Sequence, residues 1–148
     1  MFDFLKGRDQ HVDINSLSRK EIGTLGERIA AQYVERHGMR VIDHNVSRKT
    51  GELDLVALEP AGADGEGTLH FIEVKTIVAN RFPKEEDPDD IYDPSLNLHE
   101  AKLRHVARTG EWYVLEKKWE GEWQIDGCLV WLRRSDGAAR VSYLPQIV

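Results

Sequence analysis

The sequence predicts one α/β domain in which two helices pack against a mixed β-sheet. Two stretches carry apolar residues at helical spacing, five stretches have the composition of strands, and turn-forming residues separate them. In chain order these elements read α-β-β-β-α-β-β, which indicates a layered α/β architecture. The length of 148 residues suits a single domain with its own core. Residues 1–16 are polar and aperiodic, so we expect a flexible tail there and place the domain at residues 17–148.

The first helix is expected over residues 19–37. Ser18 can cap its start, and Glu21, three residues later, completes a capping box. Apolar side chains then follow at intervals of three and four residues, as on the buried face of a helix. Gly38 comes directly after them and fits the left-handed conformation that ends many helices.

Three strands are expected at residues 39–46, 52–59 and 68–76. They are rich in residues typical of strands, and the connections between them are short and contain glycine or proline. Short connections between consecutive strands favour antiparallel pairing. The three strands are therefore expected to form an antiparallel meander.

The chain then makes a long polar excursion at about residues 77–95, which contains the acidic run "EEDPDDIYD". A loop of this length is uncommon inside a compact domain. The second helix is expected over residues 96–117, and two further strands at residues 122–132 and 139–145. The turn sequence "RRSDGA" between these strands predicts a hairpin.

Composition excludes several classes of protein. Cys128 is the only cysteine, so one chain can form neither a disulfide framework nor a cysteine-based zinc site. No segment approaches the roughly 20 apolar residues of a membrane helix, and the first residues lack the pattern of a signal peptide. We therefore expect a cytoplasmic protein with no membrane partner. The net charge is −6, and residues 51–100 alone carry −10.

The stretch "FIEVKT" places two charged residues in an otherwise apolar strand. Successive side chains of a strand point to opposite faces, so Glu73 and Lys75 share a face. On the preceding strand Asp54 stands between two leucines, and pairing of the two strands would bring it beside Glu73. Two carboxylates and one ammonium group would then meet in a small, partly apolar patch.

This combination of side chains points to metal chemistry. Two adjacent carboxylates resist joint ionisation, and a divalent cation removes that conflict. Oxygen ligands on a half-open site suit Mg²⁺ or Mn²⁺, with Asp54 and Glu73 as the metal ligands, and Lys75 could orient the attacking water or stabilise charge on a phosphate. Such a set of groups fits hydrolysis of a phosphodiester. The alternative is a structural ion pair in which Lys75 neutralises one carboxylate, although the second would then keep its charge.

The pattern "GELDL", a gap of 18 residues and then "EVK" resembles the PD-(D/E)XK nuclease motif, with Leu53 where that motif has proline. With "LGERIAAQYVERHGMRVIDHN", "EAKLRHVART" and "EWQIDGCLVWL", the chain is similar to the YraN-like family of uncharacterised proteins over most of residues 22–132. The resemblance implies a restriction-endonuclease-like three-layer fold, seen also in archaeal Holliday junction resolvases. It further implies a metal-dependent nuclease acting on DNA, including structured or branched DNA.

The resemblance also implies two further site residues. In the wider group a helix-borne glutamate precedes the aspartate and the Glu-x-Lys set, and the corresponding residue here is Glu27. Its position on the helical wheel, beside the apolar stripe, would let it reach the sheet, whereas a solvent-exposed helix glutamate is the alternative. Lys102, on the second helix, is implied as a residue that faces the site.

The partner implied by the resemblance is nucleic acid, and DNA first of all. Arg48 and Lys49 lie in the turn before Asp54 and could contact phosphates together with Lys102, with ordinary surface charge as the alternative. The acidic segment and the negative net charge depart from what a nuclease would show. A non-catalytic module that binds nucleic acid or protein on the same fold is therefore the second hypothesis, and a basic protein partner for the acidic loop is the third. Whether the chain forms a homodimer is left open.

Overall fold

A six-stranded sheet forms the middle layer of the protein. The computed structural model describes residues 2–5, 13–63, 65–84 and 100–148, with the backbone alone at residues 2–5 and 100. The elements in chain order are β1 (Phe2–Leu5), α1 (Arg19–Arg36), β2 (Arg40–Arg48), β3 (Gly51–Glu59), β4 (Thr68–Ala79), α2 (Glu100–Lys117), β5 (Glu122–Arg133) and β6 (Ala139–Leu144). The strands lie in the order β1-β6-β5-β4-β3-β2.

The strand pairings make the sheet mixed. β2, β3 and β4 form the antiparallel meander that the short connections predicted. β4 and β5 then pair in parallel over the full length of both strands, because the segment that contains α2 carries the chain back to the starting end of the sheet. β5 and β6 form the predicted antiparallel hairpin. The predicted α/β class with a mixed sheet is confirmed, and β4 lies inside it with a partner on each side.

The two helices cover opposite faces of this sheet. α1 packs in a core cluster that includes Val34 and Ile72, and α2 packs in a second cluster that includes Val106 and Phe71. Phe71 and Ile72 are neighbours on β4, and adjacent residues of a strand point to opposite faces. The helices therefore form the outer layers of a three-layer domain. No helix in the described part of the chain could span a bilayer, since neither combines sufficient length with an apolar surface.

The ends of α1 follow the local signals in the sequence. Ser18 Oγ accepts a hydrogen bond of 3.1 Å from the N–H of Glu21, and Glu21 Oε1 accepts one of 3.0 Å from the N–H of Ser18. This reciprocal pair is the predicted capping box. Gly38 has a φ of 87°, the left-handed conformation expected after the helix.

The prediction of a flexible tail over residues 1–16 is wrong in two places. Phe2–Leu5 pairs antiparallel with β6 and adds an edge strand to the sheet. Ile14–Ser16 forms a 3₁₀ turn in which Ile14 is only 3% exposed. Four residues are too few to show a period in the sequence, and their partner strand lies at the other end of the chain, so no local pattern predicts the pairing. Residues 6–12 lie outside the described part of the chain.

The polar excursion expected at residues 77–95 begins later than predicted. β4 continues to Ala79 because its last three residues still pair with β5. The acidic run, and the helix start predicted at residues 96–99, lie within residues 85–99, outside the described part of the chain. From Glu100 onward α2 follows the predicted helix.

α1 approaches β4 closely at Gly26. A Cβ atom built on Gly26 would lie 1.7 Å from Oγ1 and 2.9 Å from Cβ of Thr76, so only glycine fits at this crossing. Gly26 is buried, and the next residue of the helix is Glu27. The contact therefore fixes how close Glu27 comes to the sheet.

A buried polar cluster joins β4, β5 and the last residues of the chain. Asp126 is fully buried, at 0% exposure. Its carboxylate accepts hydrogen bonds from the side chains of His70, Gln124 and Tyr143 and from the N–H of Gln146. Because each buried acceptor finds a donor, the cluster stabilises this end of the sheet.

Charges within this cluster set the ionisation of two residues. Burial lowers the pKa of His70, but the hydrogen bonds and charges of Asp126 and Glu59 outweigh burial and raise it above its ordinary value of 6.5. Burial raises the pKa of Asp126, but the hydrogen bonds from His70, Tyr143, Gln146 and Gln124 outweigh burial and lower it below 3.8. Each residue therefore favours the charged form of the other, with Nδ1 of His70 2.5 Å from Oδ2 of Asp126.

The crossing at Gly26 predicts opposite effects of two alanine substitutions on one helix. Gly26→Ala should lower the free energy of unfolding by about 1–3 kcal/mol, because the new methyl group collides with Thr76. Gly23→Ala should raise it by about 0.5–1 kcal/mol, since a Cβ atom there meets nothing within 4 Å and alanine favours the helix. Urea unfolding of both variants measures the difference. Equal effects of the two substitutions would contradict the proposed crossing.

The Asp126 cluster predicts a stability that depends on pH. The contribution of Asp126, whose pKa is lowered, is present above pH 3.8 and is lost as pH falls through the folded-state value. The contribution of His70, whose pKa is raised, is present below pH 6.5 and is lost as pH rises through the folded-state value.

Asp126→Asn should remove both contributions and lower the free energy of unfolding near neutral pH by about 3–5 kcal/mol. Urea unfolding at a series of pH values tests this. Asp136→Asn is the control, because Asp136 pairs with Arg133 in an exposed turn and loss of an exposed ion pair should have a much smaller effect than loss of Asp126. Equal stability of Asp126→Asn and the wild type would show that the cluster does not stabilise the fold.

Candidate active site

The two carboxylates predicted from the strand pattern lie where β3 and β4 part. The pairing of these strands ends at Leu55 and Ile72, and the next residues are Asp54 on β3 and Glu73 on β4. Oδ2 of Asp54 accepts a hydrogen bond of 2.8 Å from the N–H of Val74. The side chain thus satisfies a backbone donor at the end of the ladder, and this bond holds it beside Glu73.

Glu73 is the most deeply buried acid of this site, at 2% exposure. Nζ of Lys102, on α2, lies 2.5 Å from its Oε1 atom, while the side chain of Lys102 stays 60% exposed. Oε1 is shielded from solvent and has no well-aligned hydrogen bond, so the contact with Lys102 is an ion pair held by charge. The structure therefore brings together a deeply buried carboxylate and a lysine whose side chain is largely exposed.

The two carboxylates alter each other's ionisation. Burial and then the charge of Asp54 raise the pKa of Glu73 to about 7, and the ion pair with Lys102 limits the rise. Burial also raises the pKa of Asp54, against the opposing effects of the Val74 N–H and a hydrogen bond with Glu73. Two carboxylates in contact share a proton more readily than they ionise together. The pair resists its full negative charge unless a further cation is present.

Lys75 lies two residues beyond Glu73 and lines a cleft beneath α1. This α1-side cleft has a volume of about 770 Å³. Its lining includes Arg19, Glu27, Asp54, Lys75, Thr76 and Lys102. Lys75 is half-buried and forms no ion pair with any described residue. Its charge is therefore not neutralised by a partner within the described structure.

Glu27 lines the same α1-side cleft, directly after the close crossing at Gly26. It is half-buried, which does not fit the alternative of a solvent-exposed helix glutamate. Burial and then the charge of Asp54 raise the pKa of Glu27, and a hydrogen bond with Asn45 opposes that rise. The negative charge of Asp54 therefore disfavours ionisation of a third carboxylate, Glu27, on the helix above it.

A second cleft opens on the other side of the carboxylates, beneath α2. This α2-side cleft has a volume of about 510 Å³. Its lining includes Arg48, Lys49, Glu52, Asp54, Glu73 and Lys102. Asp54 and Lys102 line both clefts. Asp54 therefore lies at the junction of the two clefts, and Glu73 lines the α2-side cleft beside it.

Arg48 and Lys49 differ in how free they are to contact a phosphate. The guanidinium of Arg48 donates two hydrogen bonds to Glu116 of α2, of 3.1 and 2.7 Å. Lys49 is exposed and forms no ion pair within the described residues. Arg48 thus has a structural partner, whereas Lys49 stands at the mouth of the α2-side cleft with its charge available.

The donor set at the junction fits one class of metal. Within the described residues, no three His, Cys, Asp or Glu side chains are close enough together to enclose an ion, so a closed zinc-type site is excluded there. Mg²⁺ and Mn²⁺ are commonly held by one or two carboxylates, with waters and substrate phosphates as the remaining ligands. Asp54 and Glu73 supply two carboxylates whose repulsion such an ion would relieve. The pair therefore fits Mg²⁺ or Mn²⁺.

One contributor to the site was missed by the sequence analysis. Asn45, on β2, has a φ of 48°, in the left-handed region, and its side chain bonds to Glu27. Asparagine adopts this conformation more readily than other residues with a side chain, apart from aspartate and histidine. An asparagine inside a predicted strand is unusual, and this was the one indication in the sequence that the backbone adopts a left-handed conformation there. Asn97 and His99 precede Lys102 in the sequence and are expected to line the same cleft, but they lie outside the described residues.

The burial of Glu73 predicts a pH effect on stability without divalent cations. Its pKa rises from 4.5 to about 7 on folding, so its contribution is fully present below pH 4.5 and is lost as pH rises through about 7. As pH rises from 4.5 to about 7, the free energy of unfolding of Glu73→Gln should therefore rise by roughly 2 kcal/mol relative to that of the wild type. Urea unfolding of both proteins in EDTA measures this difference, in which the effect of His70 cancels. Parallel pH profiles would contradict the raised pKa.

Comparisons with known proteins agree on one family. Residues 26–136, which include every predicted site residue, match the family described as "Uncharacterised protein family UPF0102". A UPF0102 protein of Syntrophotalea carbinolica is 31% identical over 129 residues, covering 86% of this chain and 90% of the relative. A UPF0102 protein of Beutenbergia cavernae is 37% identical over 127 residues, covering 86% and 95%. The chain therefore belongs to the UPF0102 family, the YraN-like family that its sequence pattern resembles.

Proposed function

We propose that the protein is a metal-dependent nuclease that hydrolyses phosphodiester bonds in DNA in the cytoplasm, with structured or branched DNA among its substrates. The observation that supports this most is the contact between the carboxylates of Asp54 and Glu73, of which Asp54 lines both clefts and Glu73 lines the α2-side cleft. Mutually repelling acids with raised pKa values, placed in a cleft, are typical of active sites.

An ion pair that serves only the fold explains the junction less well. Lys102 compensates one carboxylate, Glu73. Asp54 forms no ion pair of its own among the described residues and shares the charge of Lys102 with Glu73, while Glu27 adds further negative charge nearby. Excess buried negative charge destabilises a protein unless a cation or proton compensates it. A bound divalent cation would compensate this excess negative charge.

The metal in this proposal is Mg²⁺ or Mn²⁺. Asp54 and Glu73 would hold it, and the carbonyl of Val74, between Glu73 and Lys75, is the third protein group offered. When bound, such an ion polarises the phosphate and activates a water molecule.

The side chains around the metal ligands have separate roles. Lys75, without an ion-pair partner in the α1-side cleft, would stabilise the charge that develops on the phosphate oxygens and orient the water. Glu27 would accept a proton from that water at the same cleft. The water oxygen forms a bond to phosphorus, one ester bond between phosphorus and oxygen breaks, and the departing oxygen takes up a proton.

The distribution of charge is compatible with DNA as the partner. Residues 85–93 contain six acidic side chains and no basic one, so they account for the whole net charge of −6. Lys75 and Lys102 line the α1-side cleft, and Lys49 and Lys102 line the α2-side cleft. Phosphate contacts depend on such local cations more than on the sum of charges over a chain.

A non-catalytic binding module on the same fold is the second candidate. It is favoured by the ion pair between Glu73 and Lys102, which partly neutralises the junction without a metal. This candidate differs from the first in that it requires no turnover and no divalent cation.

Cleavage assays separate the two candidates. With Mg²⁺ or Mn²⁺ and a panel of duplex, single-stranded and branched DNA, the wild type should cleave at least one substrate. Asp54→Asn and Lys75→Met should each lower the rate about 100-fold or more, because one removes a metal ligand and the other removes the charge at the phosphate.

Glu111→Gln is the matched control, because Glu111 is an exposed carboxylate of α2 outside both clefts and its loss should leave the rate unchanged. Cleavage by the wild type that persists in EDTA, or at full rate in Asp54→Asn, would contradict the proposed mechanism. DNA binding with no cleavage of any substrate would favour the binding module.

A further inference from the structure

We propose that Lys102 is a built-in counter-ion of Glu73 that a divalent cation displaces, and that the released ammonium group then binds a phosphate of the nucleic acid. This inference rests on the proposed function, because it assigns a sequence of events to the same site. It makes binding of metal and binding of nucleic acid mutually dependent.

The two partners of the ion pair differ in how deeply they are buried. Glu73 is 2% exposed inside β4, so its carboxylate has little freedom to move. Lys102 reaches it from α2 with a side chain that is 60% exposed. A lysine ammonium is a compact charge on a flexible four-carbon stem. When the pair opens, Lys102 is therefore the partner that leaves, and it moves toward solvent without disturbing the core.

The two lysines of the site, Lys75 and Lys102, differ in their ion pairing. Lys75 forms no ion pair with a described residue, whereas Lys102 contacts Oε1 of Glu73 at 2.5 Å. Among the described side chains, only Lys102 competes directly with an added cation for Glu73. The competition is therefore specific to one residue, and a substitution can remove it.

A divalent cation has an advantage over the ammonium group in this competition. Lys102 forms its ion pair with Glu73, whereas a divalent cation held by Asp54 and Glu73 would have both carboxylates as ligands. A doubly charged ion at the pair also repels an ammonium group nearby. Binding of the ion therefore drives Lys102 off Glu73.

After it leaves Glu73, the ammonium group of Lys102 can contact a ligand in either cleft. Lys102 lines both the α1-side cleft and the α2-side cleft, so it remains beside the carboxylates after it leaves Glu73. A phosphate that enters either cleft to meet the metal would find this ammonium group within reach. Because coupling between two ligands is reciprocal, nucleic acid that holds Lys102 also strengthens metal binding. Without nucleic acid, Lys102 keeps the metal affinity low.

Calorimetric titration of the full chain with Mg²⁺ alone, and with Mn²⁺ alone, tests the competition. Lys102→Met and Lys102→Gln should bind each ion about 10-fold more tightly than the wild type, because the competing cation is gone. Lys102→Gln retains a hydrogen-bond donor for the buried oxygen and serves if Lys102→Met is unstable.

Arg104→Met is the matched control, since it removes the same charge from the same helix at an exposed residue without an ion pair among the described residues. Its metal affinity should change less than about twofold. Unchanged or weaker metal binding in both lysine variants, or an equal gain in Arg104→Met, would overturn the inference. If the wild type and every variant bind neither ion, the proposed metal site fails as well, so the two failures are distinguishable.

Binding to a branched DNA probe tests the second half of the inference. In EDTA, Lys102→Met should bind the probe as the wild type does, because Glu73 already holds the ammonium group. In Ca²⁺, used in place of Mg²⁺ to limit cleavage, the same variant should bind about 3–10-fold more weakly. An equal loss of affinity in EDTA and in Ca²⁺ would show that Lys102 contacts the nucleic acid independently of the metal.

Discussion

The carboxylate of Glu73 lies inside the sheet, 2% exposed, on a strand that both helices cover. A charge in that position must be compensated, because burial of an unpaired carboxylate is strongly unfavourable. Burial and the charge of Asp54 raise its pKa to about 7, so that a proton binds more readily, and the ammonium group of Lys102 compensates the charge that remains. The other parts of the site surround this carboxylate: the end of the β3–β4 pairing and the two clefts.

β4 can organise the site because both helices approach it through glycine. Gly26 of α1 meets Thr76 so closely that a Cβ atom would collide, and a Cβ atom on Gly110 of α2 would lie 2.9 Å from the Phe71 ring. Small residues at both crossings let the helix backbones come near the strand. Glu27 follows the first crossing on its helix, and Lys102 lies two turns before the second. The same contacts that pack the core therefore set the reach of these two side chains.

Two polar clusters on β4 show the difference between structural and reactive burial. Around Asp126 the fully buried carboxylate receives donors from several side chains and one backbone N–H. Around Glu73 the donors are fewer, because Lys102 is its one cationic contact among the described residues and the neighbouring Asp54 adds negative charge. The first arrangement lowers the pKa of its aspartate and the second raises the pKa of its acids. Only the second arrangement leaves negative charge that a bound cation could compensate.

The sequence by itself determined the local features of this protein. Helical spacing, the capping box at Ser18, the glycine after α1 and strand alternation predicted both helices and all strands except β1, and alternation put Glu73 and Lys75 on one strand face. The pairing of β1 with β6, the burial of Ile14 and the ion pair of Lys102 with Glu73 were decided only by the tertiary structure. Each of these joins segments far apart in the chain, and their partners are fixed by packing of the layers, which no local period records. The separation of Arg48, held by Glu116, from the unpaired Lys49 arose in the same way.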